Sequence, residues 1–134
     1  MVPRAVASSL EVRPYRLRLL QPLRTAQGTY QVRDGFLVLA HEGGLTGRGE
    51  AAPLPELGTE TLAQCAEALR DASFERLPAT PAARHAVELA LLDLRAQRAG
   101  VPLATLLEPR ALREVPVSTP EPVPPIVQPR SRRR

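Results

Sequence analysis

Apolar and polar residues alternate from Val12 onward, with Tyr15, Leu17 and Leu19 on one side and Arg16 and Arg18 between them. A period of two predicts a strand with one wet face, and Pro14 at its start places that strand at a sheet edge. The small, mixed residues 1–10 before it are expected to fray. The alternation lapses from Gln21 to Arg33, where Pro22, Gly28 and several polar residues predict a loop of about a dozen residues. Asp34-Gly35 reads as a turn. Phe36-Leu37-Val38-Leu39-Ala40 follows as a strand apolar on both faces, hence central and covered on two sides. Glu42-Gly43-Gly44 closes a hairpin into a strand over 45–52. The pattern up to this point is a three-stranded antiparallel meander.

The stretch Gly47-Arg48-Gly49-Glu50-Ala51-Ala52-Pro53-Leu54-Pro55 marks a change of regime. Gly47 and Gly49 lack side chains on one face of the strand, so another backbone can approach there. Pro53 and Pro55 remove ladder donors and end the sheet. Beyond them the apolar period becomes helical. A first helix is expected at about 60–72, with Thr59 as N-cap or, one step later, Thr61 with Gln64 as a capping box. Leu62, Cys65, Ala66 and Leu69 form its apolar stripe, which makes Cys65 a small core residue.

The second helix is bounded by Thr80 and Pro81 at its start and Gly100 at its end. It carries two stripes: Ala83, Val87, Ala90, Leu91 and Leu94 on one side, and His85, Leu89, Leu92, Ala96 and Ala99 on the other. Either the sheet takes one stripe and the first helix the other, or a second domain or subunit covers the outer one. Leaving Leu89 and Leu92 in water forgoes on the order of 2 kcal/mol each. His85 is expected to pack and His41, at a strand end, to be solvated. A short helical turn over 101–107 has Pro102 at its first position, and Glu114-Val115-Pro116-Val117-Ser118 reads as the opening of a further strand. Six of the 15 prolines fall in the last 19 residues, before Arg130 and Arg132-Arg133-Arg134, which predicts an extended, disordered tail. The fold class is α+β: the meander, a small helical bundle and that tail.

Composition narrows the chemistry. A chain of 134 residues has room for one domain, and 3% aromatic content requires an aliphatic, alanine-rich core. All 18 basic residues are arginine. Removing the four at 130 and 132–134 leaves fourteen arginines against fourteen acids, so the net charge of +4 belongs to the tail and not to a basic face. The single cysteine excludes an internal disulfide and suits a reducing compartment. The longest apolar run, Phe36–Ala40, is far below the roughly 18 residues of a membrane span. No signal peptide is read, and the expected location is the cytoplasm. One cysteine and two distant histidines match no metal spacing, and no P-loop or serine nucleophile elbow is present. Gly47-Arg48-Gly49 lacks the third glycine of a dinucleotide fingerprint, since Ala52 stands there. Glu42, Glu50 and Glu56 read as a solvated surface. No catalytic or metal-binding residue is assigned.

Arg33-Asp34-Gly35-Phe36-Leu37-Val38-Leu39, the stretch Gly47–Pro55 and Glu60-Thr61 together resemble the N-terminal capping domain of the enolase superfamily. Ala86–Leu94 and Gly100-Val101-Pro102-Leu103 continue the resemblance in one register. Within the muconate lactonizing enzyme-like subgroup it is most similar to the o-succinylbenzoate synthase family of menaquinone biosynthesis. The resemblance implies a capping domain over residues 11–114 that closes the mouth of a β/α barrel. Loop 23–32 and turn 53–58 would face the active site, with Leu23, Arg24, Pro53, Leu54 and Pro55 shaping the pocket for a small carboxylate. It further implies loss of water from a cyclohexene carboxylate by a barrel lysine, with Mg²⁺ held by barrel carboxylates.

The chain departs from this pattern in having no lysine and 16 residues after Ser118, where a barrel needs roughly 200 or more. Residues 115–134 therefore read as a vestige of the first barrel strand and a tail. The expectation is a truncated or frame-disrupted product, inactive alone, whose missing barrel would cover the outer stripe of helix 81–99. An N-acylamino acid racemase, dipeptide epimerase or muconate cycloisomerase cap is the alternative within the superfamily. Outside it stands a non-catalytic interaction module whose arginine tail attracts polyanions weakly; nucleic acid is disfavoured because no aromatics interleave the arginines.

Overall fold

A computed structural model describes residues 7–117 of the protein. Three antiparallel strands, β1 (Ser8–Thr25), β2 (Gly28–Glu42) and β3 (Leu45–Ala51), lie in the order β1-β2-β3. A single 3₁₀ turn (Pro55–Leu57) follows, then helices α1 (Leu62–Arg70), α2 (Pro81–Ala99) and α3 (Leu103–Leu107). The architecture is the expected α+β one.

Register explains which face is buried. Leu10 pairs with Ala40 and Ala40 with Gly47; Val12 pairs with Val38 and Val38 with Gly49. Pro14, Phe36 and Ala51 form the next row. Opposed residues share a face, so these rows make one apolar surface, and α2 lies on it. A β-carbon at Gly47 would run into the Ala90 carbonyl and come within 2.7 Å of the Leu94 amide nitrogen; at Gly49 it would run into the Ala86 carbonyl. The two glycines thus admit the helix backbone itself. Ala83, Ala86, Val87 and Ala90 are fully buried with Val38, Ala40, Ala51 and Cys65. Small residues on α2 and β3 bring the two layers close, and this is how a chain so poor in aromatics closes a core.

Helix ends are set by specific partners. The Thr61 capping box begins α1: the Gln64 amide donates to the Thr61 hydroxyl (3.2 Å) and the Thr61 amide to Gln64 Oε1 (2.9 Å). Thr80 occupies the N-cap position of α2 without a side-chain cap bond. The buried Glu60 carboxylate takes that role, accepting from the amides of Ala82 (3.0 Å) and Ala83 (2.8 Å). Gly100 is left-handed (φ 67°), its amide donating to the Gln97 carbonyl and that of Val101 to Ala96, which closes α2.

Several expectations are corrected. The strand begins at Ser8, within the segment expected to fray; residues 1–6 lie outside the described residues. Gln21–Arg33 is a hairpin with a turn at Ala26-Gln27, not a long loop; pairing resumes at Leu23↔Tyr30 after a register shift beyond Arg18. The shift absorbs Pro22, which has no amide to give the ladder, and so disguises the alternation. Asp34-Gly35 is no turn: both lie inside β2, opposite Arg16 and Tyr15. Asp34 takes a two-point hydrogen bond from Arg16 (2.7 and 2.9 Å). Gly35 makes room for the Tyr15 ring, whose hydroxyl donates to Glu50 across the sheet.

Phe36–Ala40 is central; α2 covers the face of Phe36, Val38 and Ala40, while the other face is covered in part, with Leu39 buried and Leu37 42% exposed. The first helix is 62–70 and not 60–72, because Glu60 is engaged with α2 and Thr59 with the chain before it. On the outer stripe of α2, Ala96 is buried, Leu89 and Leu92 are half-buried, and His85 and Ala99 are exposed. His85 therefore does not pack. His41 is half-buried and bound to the Thr46 hydroxyl and the Glu11 carboxylate, each at 3.0 Å, and so is not freely solvated. Glu114–Val117 forms no strand: Pro116 offers no amide, and none of the described strands pairs with it. Ser118 and the Pro/Arg-rich tail lie outside the described residues.

Candidate functional site

The end of the β1–β2 hairpin and the turn after β3 meet and line an open pocket of about 170 Å³. The hairpin supplies Leu19, Leu23, Thr25, Gln27, Tyr30 and Arg33, and the turn supplies Leu54 and Leu57. The turn itself is short. Leu57 donates to the Leu54 carbonyl (2.9 Å) and Gly58 to that of Pro55 (3.0 Å), with Gly58 left-handed at φ 89°. One 3₁₀ turn is a weak element, and side chains from outside hold it.

Arg33 donates from Nη1 to the Pro53 carbonyl (3.0 Å) and from Nη2 to that of Ala52. The Leu54 amide donates to the Thr59 hydroxyl (2.6 Å). The Tyr30 hydroxyl donates to Glu56 Oε1 (2.8 Å), bridging hairpin and turn. The electrostatics agree with this geometry. The Glu56 carboxyl is held below its ordinary value by its own backbone amide first and by Tyr30 next. The Tyr30 phenol is raised, chiefly by the bond to Glu56. Both ends of the bridge favour a neutral phenol donating to an ionised carboxylate.

Of the residues expected to shape a substrate pocket, the structure brings Leu23 and Leu54 together on its wall. Pro53 is buried beside it, and its carbonyl is what Arg33 holds. Pro55 opens the 3₁₀ turn and is exposed, and Arg24 is exposed next to Leu23; neither lines the pocket. Tyr30, Arg33 and Leu57 were not singled out by sequence reading. A signal existed for Tyr30: the chain has two tyrosines, and a phenol packed on a protein surface needs a partner. Both find a carboxylate, Tyr15 at Glu50 and Tyr30 at Glu56. Glu50 and Glu56 are therefore not merely solvated surface: each accepts a tyrosine hydroxyl. Among the described residues no three of His, Cys, Asp and Glu converge as metal ligands, so these residues do not fit a Mg²⁺ site. None of the described helices is long and apolar enough to cross a membrane.

Sheet and helix order are those of an enolase-superfamily capping domain. Residues 9–91 match the family model "MenC, N-terminal domain", and the chain belongs to that family. It is 35% identical to the L-Lys-D/L-Arg epimerase of Methylococcus capsulatus, covering 83% of this chain and 36% of that protein. It is 51% identical to the o-succinylbenzoate synthase of Thermosynechococcus vestitus over a shorter stretch, 37% of this chain and 16% of that one. The solved dipeptide epimerase from Methylococcus capsulatus, complexed with Mg and dipeptide L-Arg-D-Lys, superposes with a TM-score of 0.67 at 33% identity, covering 77% of this chain and 34% of that chain. The chain thus spans about a third of the length of that epimerase.

Proposed function

We propose that this domain is the substrate-facing cap of an o-succinylbenzoate synthase-like enzyme, supplying a specificity wall and no reacting group. The observation that carries this reading is the pocket at the junction of hairpin and turn, where the two segments expected to face a substrate meet. The chain contains no lysine, so a lysine base and the carboxylates for Mg²⁺ would come from a barrel. The cap's contribution is to exclude water and fix the substrate's position, which converts binding energy into orientation. A dipeptide epimerase cap is the second reading, favoured by the match to the Methylococcus capsulatus epimerase across most of this chain.

Chimeras test both. Residues 8–107 would replace the matching domain in the Thermosynechococcus vestitus synthase and in the Methylococcus capsulatus epimerase. The first reading expects water loss from the synthase substrate by the first chimera and no turnover by the isolated chain. Turnover by the epimerase chimera alone would select the second reading. Two folded but inactive chimeras would remove the cap assignment for this chain's pocket.

A further inference from the structure

The charges on and beside the pocket wall, Arg33 and Glu56, are engaged within the protein, and this gives the pocket a definite preference. Arg33 is the one cation among its lining residues, and its guanidinium is committed to the Ala52 and Pro53 carbonyls. Glu56, on the turn between Leu54 and Leu57, is committed to the Tyr30 hydroxyl. The Thr25 hydroxyl donates to the Gly28 carbonyl and accepts from the Gln27 amide, 3.2 Å each, which leaves a neutral Gln27 carboxamide at the rim. What faces the space is leucine and a phenol ring. Leu23 and Leu57 are 57% and 62% exposed, so apolar surface stands open at the rim without a covering group from the described residues. A closed apolar cavity of about 150 Å³ accepts a benzene ring, and this open pocket, at about 170 Å³, has room for a group of that size.

We propose that Leu23, Tyr30, Leu54 and Leu57 form a subsite for an uncharged apolar group of the substrate, one aryl ring or branched alkyl chain in size, and that Arg33 and the Tyr30–Glu56 hydrogen bond are positioning groups that keep it apolar. This rests on the reading of the domain as a cap and deepens it: the substrate's carboxylate lies toward the barrel and its apolar end against this wall. A charged group placed here would lose water and find no free counter-charge among the lining residues, which is costly. The same bonds set the pocket's width, because they fasten the turn to the hairpin.

The test uses the chain itself and three probes of one shape: benzyl alcohol, benzylammonium and benzoate, titrated by NMR. Benzyl alcohol is expected to shift the resonances of Leu23, Tyr30, Leu54 and Leu57 saturably, with both ions binding at least about tenfold more weakly. Tyr30→Phe releases Glu56, and its preference should move roughly fivefold toward benzylammonium. Tyr30→Phe combined with Glu56→Gln should restore the preference for the alcohol. Either ion binding as tightly as the alcohol, or no response at the leucines, overturns the subsite. An unchanged preference in Tyr30→Phe with α2 amide shifts intact overturns the positioning role. These outcomes are separate from the chimera result: a failed probe titration leaves the cap reading standing, and inactive chimeras leave the pocket's chemistry standing.

Discussion

The two edges of the sheet are built in opposite ways. At β3 the outward backbone groups are taken by α2: the Arg48 amide donates to Asp93 Oδ2 (2.8 Å), and the Thr46 carbonyl accepts from Gln97 Nε2 (2.7 Å). Gln97 also donates to Asp93, at 3.1 Å, so the two side chains form one clamp. At β1 the far half of an 18-residue edge strand carries Leu17, Leu20 and Leu23 at 56%, 81% and 57% exposure, with arginines between. A sheet edge is a template for unwanted pairing. One edge is closed by a helix, the other is interrupted by a register shift, Pro22 and arginine charges. The lesson is a division of labour: β3 and α2 hold the fold, and the end of the β1–β2 hairpin is left free to shape a pocket.

The largest test of that division is Gly49→Val. Its side chain has to displace the α2 backbone at Ala86, and the expected loss is about 3 kcal/mol or more, read as a lower urea midpoint. An unchanged midpoint would mean that α2 does not rest on β3 as described. Next is Glu60→Gln, which keeps the shape of the cap on α2 but removes its charge; the loss at neutral pH should be about 2 kcal/mol.

The pH dependence of that loss has a definite sign. Burial resists ionisation of Glu60, but the Ala82 and Ala83 amides outweigh it and hold the carboxyl below its ordinary value. Its stabilisation is therefore complete above the unfolded value of about 4.3 and disappears as pH falls through the lower folded value. The gap between wild type and Glu60→Gln should narrow below about pH 4. A gap that persists unchanged at pH 2 would assign the effect to packing. Smallest is Leu20→Ser on the open hairpin, expected within about 0.5 kcal/mol of wild type. A larger loss in thermal unfolding would show that this end of the hairpin belongs to the core after all.

Much of the scaffold was legible from local pattern. The Gly43-Gly44 hairpin, the helix from Pro81 to Gly100 and the close approach at Gly47 and Gly49 each follow from a residue whose backbone or missing side chain admits few alternatives. The hairpin from Gln21 to Arg33 was not legible, because a register shift breaks the period on which a strand is recognised. Asp34-Gly35 misled for a related reason. Glycine serves a turn and a closely covered strand equally well, and only the neighbouring strand shows that Tyr15 lies over it. The pocket was half legible: Leu23 and Leu54 were indicated, while Tyr30, Arg33 and Leu57 join it through contacts 20 or more positions away in the chain.

The sequence by itself determined the order of strands and helices, the small-residue seam on β3, the lack of lysine among these 134 residues and the family of the cap. These depend on residues within a few positions of one another, where period, capping and turn chemistry act. Only the tertiary structure decided which carboxylate caps which helix, which arginine is spent on backbone carbonyls, and that the pocket is left apolar. Those outcomes depend on charges meeting across the fold. A charge in a sequence is free by default, and only its partner in space removes it from the chemistry.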